Sequence, residues 1–124
     1  MLVKFIAVIG IGIIALSPSD LKRFRTGTFM ITDENGIHFT LVRKKRTQTE
    51  RTIFGKCELD VHWSNDSTYY LFSPRTITGK DVWKDFGTDS IKNVIREVRG
   101  DSCLVTSSSK QRELEVDFWM VKVK

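Results

Sequence analysis

Few side chains in this sequence have the types and spacing that catalysis or metal binding requires. Asp60 and His62 lie two residues apart, with Glu58 beside them. A carboxylate next to an imidazole can act as an acid–base pair or as part of a metal site. No third ligand is evident in the sequence, so we interpret this group as the outer face of a half-buried strand. His38 faces outward between two apolar neighbours in the same way.

Motifs of catalysis are missing from the sequence as well. The 124 residues contain no glycine-rich phosphate loop, nucleophile elbow or two-histidine metal motif. The sequence therefore predicts a protein that is not an enzyme and that uses no cofactor and no metal.

The densest basic group is Arg43, Lys44, Lys45 and Arg46, in a chain whose formal net charge is +5. Such runs bind nucleic acid, phosphate-bearing lipid or acidic polysaccharide, or they form a solvated turn. We treat these four residues as a candidate polyanion-binding site. A nucleic-acid-binding barrel would place aromatic side chains beside its basic strands, whereas Phe39 and Trp63 are predicted to face inward. Nucleic acid is therefore the less favoured partner.

The two cysteines, Cys57 and Cys103, allow two interpretations. In an oxidising compartment they can pair and stabilise the fold by a few kcal/mol. Alternatively, both are small buried residues with free thiols. The sequence does not choose between these, because it cannot show whether the two Cα atoms lie within bridging distance.

Three short motifs are weak signals. Arg99-Gly100-Asp101 matches an adhesion tripeptide, but Gly-Asp is also ordinary turn chemistry, and we predict a turn. Asn65-Asp66-Ser67 fits the sequon for N-linked sugar. Asp66-Ser67-Thr68 and Asp89-Ser90-Ile91 resemble a pattern for O-glycosylation of exported bacterial proteins.

The N-terminal segment has the pattern of a targeting sequence. Lys4 is followed by an apolar run from Phe5 to Leu16 and then by Ser17-Pro18-Ser19. A short positive region, an apolar region and small residues are typical of an export signal, and about 20 apolar residues would be needed to span a bilayer. We predict that 1–19 are a signal peptide or a membrane anchor and that 20–124 form one domain.

The remaining chain is predicted to be mainly β, because apolar and polar residues alternate in it with a period of two. Asn35-Gly36 is a strong hairpin signal, and about seven or eight strands should follow one another as an antiparallel meander. We interpret the charged stretch KKRTQTER, residues 44–51, as a connection between two of these strands. This count suggests a small barrel or a strongly curved sheet, since closure removes exposed edges. The inward-facing positions predict a core that includes Phe29, Phe39, Leu59, Val61, Trp63 and Phe118.

The segment 89–98 is ambiguous. Ile91, Val94, Ile95 and Val98 have helical spacing, but the segment is rich in β-branched residues and leads through Gly100-Asp101 into a second β-rich run. We predict a strand, and a hairpin with the run that starts at Cys103.

Three stretches, DLKRFRTGTFMITDENG, VHWSNDSTYYLF and GDSCLVTSSS…ELEVDFWMVKVK, resemble a group of short exported proteins of Bacteroidota. In this group a signal or lipoprotein leader precedes a Thr-Gly-x-Phe strand, a strand centred on Trp and a closing hairpin. The resemblance implies a lipocalin-like β-meander at the cell envelope, without an established activity. Topoisomerase labels on some members are not credible for a chain of this length. Ser17-Pro18-Ser19 stands where a lipidated Cys would be expected.

The sequence thus predicts an exported protein of the periplasm or cell envelope that acts as a binding or structural module. Its partner would be an envelope polyanion or a small ligand. The alternative is a basic, OB-like module that binds nucleic acid in the cytoplasm.

Overall fold

The computed structural model describes residues 16–33 and 35–124, and they form one closed antiparallel barrel. Every strand pairs with its sequence neighbours, and β8 pairs with β1 to close the barrel. The predicted meander is therefore confirmed as a closed barrel. A short helix precedes it. The elements are α1 (Pro18–Lys22), β1 (Gly27–Thr32), β2 (His38–Arg43), β3 (Thr47–Thr52), β4 (Gly55–Trp63), β5 (Thr68–Gly79), β6 (Ser90–Arg99), β7 (Ser102–Ser109) and β8 (Leu114–Lys122).

The alternation read from the sequence determines which side chains fill the barrel. On β4, Cys57, Leu59 and Val61 are buried, because alternate residues of a strand point to the same face. The predicted core residues Phe29, Leu59 and Val61 are buried, and Phe39, Trp63 and Phe118 are partly buried. Trp63 packs against both apolar clusters of the interior.

One end of the barrel is closed by the residues before β1. Leu21 of α1 and Phe24 are buried in a cluster with Phe29, Cys103 and Met120. Ser17 caps α1 by accepting a hydrogen bond from the Asp20 backbone N–H. We refer to this end as the closed end and to the opposite end as the mouth.

Charged side chains fasten the helix to the strand turns at the closed end. Arg23 Nη2 lies 2.7 Å from both the Gly100 carbonyl oxygen and the Asp101 carboxylate. Arg25 pairs with Asp66 at 2.8 Å. These contacts hold α1 over the barrel, although exposed ion pairs of this kind add little stability on their own.

β5 is the longest strand and only half of it belongs to the closed wall. Its residues 68–72 pair with β6, whereas its outer half pairs only with β4. The strand pair is irregular where it leaves the wall, and Ser73 there has a φ of 50°. Gly55 and Gly79 face one another at the far end, and a Cβ on Gly79 would collide with the Phe54 carbonyl oxygen.

The structure corrects one connection and leaves the predicted division of the chain untested. The apolar run up to residue 15 lies outside the described residues, and the predicted division between 19 and 20 falls inside α1. The charged stretch 44–51 was expected to be a connection, but residues 47–52 are strand β3. The segment 89–98 lies in a strand region, as predicted, with β6 covering Ser90–Arg99.

Candidate functional site

The interior of the barrel is not completely filled. A cavity of about 670 Å³ extends from the mouth toward the middle of the barrel. The surface of its wall is mostly apolar, and seven of the strands contribute to it. The apolar side chains include Ile31, Phe39, Leu41, Leu71, Val116 and Phe118. Polar side chains also line the cavity, and they include Gln48, Glu50, Tyr69, Asn93 and Ser107.

A chain of hydrogen bonds runs along the inner faces of β2 and β3. Arg43 is 2 % exposed, and its Nε donates to Gln48 Oε1 at 2.8 Å. Gln48 Nε2 in turn donates to Glu50 Oε2 at 2.7 Å. The amide of Gln48 therefore joins the buried guanidinium to the buried carboxyl group, and Arg43 and Glu50 do not touch directly.

The guanidinium of Arg43 is held among aromatic rings. It lies 4.3 Å from the ring centroid of Tyr69, 5.1 Å from that of Phe29 and 5.8 Å from that of Trp63. Nη1 donates to the Phe24 carbonyl oxygen at 2.7 Å, and Nη2 donates to the Tyr69 hydroxyl at 2.9 Å. Cation–π contacts and hydrogen bonds of this kind offset part of the cost of burying the charge.

Burial also changes the acid–base properties of the interior. It raises the pKa of Glu50 above its ordinary value, against the hydrogen bond from Gln48 and the charge of Arg43, which both lower it. Burial likewise raises the pKa of Tyr69. Both shifts follow from the cost of placing an anion in a medium of low polarity.

The opposite wall carries a second, uncharged polar group. Asn93 is 1 % exposed, and its Nδ2 donates to the Ile91 carbonyl oxygen at 3.1 Å. Its Oδ1 accepts a hydrogen bond from the Ser107 hydroxyl. These two side chains lie on β6 and β7, which places amide and hydroxyl groups across the cavity from Gln48 and Glu50.

The loop 80–89 covers the gap that β5 leaves beside β6. Trp83 of this loop borders the large cavity and two smaller ones, of about 420 Å³ and 200 Å³. Its Nε1 is buried and has no hydrogen-bond partner among the described residues. Trp83 therefore divides the space at the mouth.

The same loop is fastened to the turn between β7 and β8. Asp89 is 4 % exposed, and its carboxylate accepts hydrogen bonds from Ser109 and Arg112. Arg112 Nη2 also donates to the Asp85 carbonyl oxygen at 3.0 Å, and its guanidinium lies 4.5 Å from the ring of Phe86. The hydrogen bond from Ser109 is the main reason that the pKa of Asp89 is lowered. We refer to Asp89, Ser109 and Arg112 as the latch.

The predicted basic site is divided by the structure. Lys44, Lys45 and Arg46 are exposed in the turn between β2 and β3, at the closed end. Arg43 lies inside the barrel instead, because it occupies an inward position of β2. The exposed group is therefore limited to three residues, at the end opposite to the mouth.

The two cysteines do not form the disulfide considered above. Both thiols are free and buried. Cys57 lies at the start of β4, near the mouth, and Cys103 lies at the start of β7, near the closed end. Successive strands of a meander run in opposite directions, so the starts of these two strands lie at opposite ends of the barrel. Each thiol belongs to a different apolar cluster.

The other sequence motifs serve the surface of the fold. Glu58 and Asp60 both pair with Arg75, at 2.8 Å and 3.0 Å, while His62 is exposed and His38 Nδ1 lies 2.8 Å from the Thr32 hydroxyl. No cluster of three or more metal-ligating side chains is present within 16–33 and 35–124. Gly100 and Asp101 form the predicted turn. Asn65 is an exposed turn residue, but Asp89 is buried in the latch.

The polar residues of the cavity were not predicted from the sequence. Gln48 and Glu50 were hidden in a stretch that looked like a charged connection, although they alternate with Thr47, Thr49 and Arg51 as strand residues do. Asn93 was hidden among β-branched neighbours. Trp83 had no periodic pattern around it, so no local signal could have placed it at the mouth.

Comparison with other proteins adds no relative. No family model, no curated protein and no solved structure matches this chain. In the described part of the chain, none of the helices has the length and apolar character needed to cross a membrane.

Proposed function

We propose that this protein is a small-molecule-binding barrel that holds a compact, largely apolar ligand with one polar end. The observation that carries the proposal is the cavity of about 670 Å³. Ligand sites typically measure about 300–1,000 Å³ and have apolar walls with a few placed polar groups. Eight-stranded barrels are wide enough to hold one small ligand.

The arrangement of the two ends supports the same proposal. The closed end is packed with apolar side chains, including Phe24 and Phe29, which are both 0 % exposed. The mouth is instead covered by a loop that is fastened through a few side chains. Such an asymmetry provides a packed base and an entrance at the mouth.

Export to the periplasm or cell envelope remains part of the proposal and rests on the sequence pattern of residues 1–19. A membrane-anchored form would follow if that segment is retained. Fractionation of cells, with sequencing of the mature N-terminus, tests this part. The binding function does not depend on its result.

The nucleic-acid alternative is less well supported. An OB-fold is a five-stranded Greek-key barrel, whereas this barrel is an eight-stranded meander. Phe29 and Tyr69 are buried and Trp63 is partly buried, so these rings are not a surface on which bases could stack. Lys44, Lys45 and Arg46 remain as exposed charges without neighbouring aromatic rings of that kind.

Binding is tested with a matched pair of substitutions on β8. Val116 lines the cavity, whereas Val121 is 40 % exposed on the outer face of the same strand. We expect wild-type protein to bind a fluorescent apolar probe such as N-phenyl-naphthylamine saturably, with one site. Val116→Phe should weaken binding by about tenfold or more, because the added ring occupies the cavity. Val121→Phe should leave the affinity unchanged.

Two results would contradict the proposal. One is the absence of saturable probe binding to folded wild-type protein. The other is an equal effect of Val116→Phe and Val121→Phe, since binding would then occur outside the cavity. Circular dichroism of both variants verifies that the fold is retained.

A further inference from the structure

We propose that the ligand of this cavity is uncharged and that its polar end donates a hydrogen bond to the carboxylate of Glu50. This inference rests on the proposed function, because it concerns the chemistry of the same cavity. It makes the ligand a neutral amphiphile, such as an alcohol, and it makes Glu50 the residue that determines specificity.

Arg43 does not provide a binding group for an anionic ligand. Each of its three guanidinium nitrogens already donates a hydrogen bond, to Gln48, Phe24 and Tyr69. The residue is 2 % exposed and is not part of the cavity wall. A carboxylate in the cavity would therefore find no free edge of the guanidinium, which is the group that usually recognises it.

Glu50, unlike Arg43, has a hydrogen-bonding atom that is available to a ligand. It borders both the large cavity and the smaller one beside it. Its Oε2 accepts a hydrogen bond from Gln48. Within the described chain, Oε1 has only a long contact of 3.9 Å with the Cys57 thiol, and a thiol is a weak donor. An ionised carboxylate has room for further donors, so a ligand hydroxyl or amide N–H fits there.

The charges inside the barrel limit the ligand further. With Glu50 ionised, the interior holds one cation and one anion, joined through Gln48. A ligand carboxylate would add a second anion, and a ligand ammonium would add a second cation. An unpaired charge in an apolar interior is costly, so a neutral head is the one that leaves the pair balanced.

Other charged groups border the two cavities but have surroundings of their own. The Asp33 carboxylate accepts hydrogen bonds from two backbone N–H groups, and Asp117 accepts one from Thr106. Lys56 and Lys80 line the smaller cavity. The titratable or charged groups that face Glu50 itself are Arg43 from β2, Cys57 from β4 and Tyr69 from β5.

The head group of the ligand is tested with four probes that share one alkyl chain: decanol, its methyl ether, decanoate and decylamine. Affinities are measured by displacement of the fluorescent probe over a series of pH values that extends into the alkaline range, because burial raises the pKa of Glu50 and the ionised carboxyl group is the proposed acceptor. We expect decanol to bind at least about tenfold more tightly than each of the others. The ether is the decisive comparison, because it is more apolar than the alcohol but has no hydrogen to donate.

Glu50→Gln then tests whether Glu50 is responsible. The amide keeps the shape of the carboxyl group but leaves Arg43 without its counterion and offers a donor to the ligand. We expect the preference for decanol over the ether to fall by about tenfold, and the relative affinity for decanoate to rise. Glu115→Gln makes the same change at an exposed position on the outer face of β8 and should alter neither ratio.

The outcomes separate this inference from the proposed function. If the ether, decanoate or decylamine binds wild-type protein more tightly than decanol, the neutral-donor inference is wrong while the cavity remains a binding site. Unchanged ratios in Glu50→Gln would also overturn it. If none of the four probes displaces the fluorescent probe, both the inference and the proposed function are wrong.

Discussion

Arg43 is the most constrained residue of the barrel interior. A buried charge is tolerated when hydrogen bonds and a counterion compensate for the lost water. Arg43 has three neutral acceptors, aromatic rings on its faces and a carboxyl group one residue away through Gln48. It connects β2, β3 and β5 to the backbone of Phe24 at the closed end. Removing it would leave several of these partners unsatisfied at once.

We therefore predict that Arg43→Ala lowers the free energy of unfolding by about 3 kcal/mol or more, the range seen when a buried ionic network is broken. Arg43→Lys should recover only part of this loss, because one ammonium cannot donate in the three directions of a guanidinium. Lys44→Ala changes the neighbouring exposed residue and should stay within about 0.5 kcal/mol of wild type. Denaturant titration measures all three. Equal, small effects would show that Arg43 is not a structural centre.

For individual residues, the sequence predicted which side chains are buried better than it predicted what those side chains do. The period-two pattern placed Phe29, Leu59 and Val61 inside correctly. Arg43 alternates in phase with Phe39 and Leu41 on β2, but its charge and its basic neighbours led us to predict an exposed site. Local composition cannot show that Gln48 and Tyr69 lie opposite to it, since those contacts depend on the pairing of distant strands.

At the scale of elements, the loop 80–89 distinguishes this barrel from a plain meander. It closes the gap between the outer half of β5 and β6, and its two aromatic residues, Trp83 and Phe86, lie 5.2 Å apart between ring centroids in an edge-to-face arrangement. Outside these contacts the loop has few buried side chains. Segments of this kind open more easily than the strands around them.

The latch should control how often this loop opens. Arg112→Ala removes the donors to Asp89 and to the Asp85 carbonyl, so we predict faster hydrogen exchange in 80–89, with little change in the strands. Lys110→Ala, in the same turn, is the exposed control. Exchange rates that are equal in the two variants would show that the latch does not hold the loop.

The latch should also respond to acid. The pKa of Asp89 is lowered in the folded protein, so its stabilising contribution is fully present above the ordinary Asp value of about 3.9 and is lost as the pH falls below it. We expect acid to speed exchange in 80–89 of the wild type, relative to the intrinsic rate, more than in Asp89→Asn, which has no carboxyl group to protonate. The same acid response in both proteins would exclude the latch as its cause.

Element prediction failed where composition and periodicity disagreed. β3 reads as Thr-Gln-Thr-Glu-Arg-Thr and has no large apolar residue, because its inward positions are filled by the polar groups of the cavity. A strand that contributes polar side chains to a binding site lacks the apolar signal of a core strand. The segment 89–98 was predicted correctly because its turn residues and β-branched content outweighed the helical spacing.

For the whole molecule, closure explains why the count of strands was predictable and the cavity was not. Turn residues and alternation indicated seven or eight strands, and eight with β8 beside β1 leave no open edge in the closed wall. The space inside depends instead on how the side chains of all strands meet around the axis. Leu21 and Phe24 fill the closed end, whereas a cavity remains at the mouth.

The two cysteines report separately on these two ends. Cys103 is 0 % exposed in the cluster at the closed end, and burial raises its pKa to about 12. Cys57 is 8 % exposed and borders the smaller cavity beside Trp83. The thiolate is the reactive form, so Cys103 has to be exposed by unfolding of the packed end before it can react. Cys57 needs only a local opening of the mouth.

We predict that timed alkylation of the native protein modifies Cys57 at least about tenfold faster than Cys103, because local opening costs less free energy than global unfolding. Cys57→Ser and Cys103→Ser, each with one thiol, assign the two rates by mass spectrometry. The rate for Cys103 should follow the global free energy of unfolding and rise in Arg43→Ala, while that for Cys57 should rise in Arg112→Ala. Equal rates for the two thiols would contradict the assignment of a packed end and an opening mouth. An intact mass two units below the dithiol value would reveal a disulfide, which the placement of the thiols at opposite ends excludes for the folded monomer.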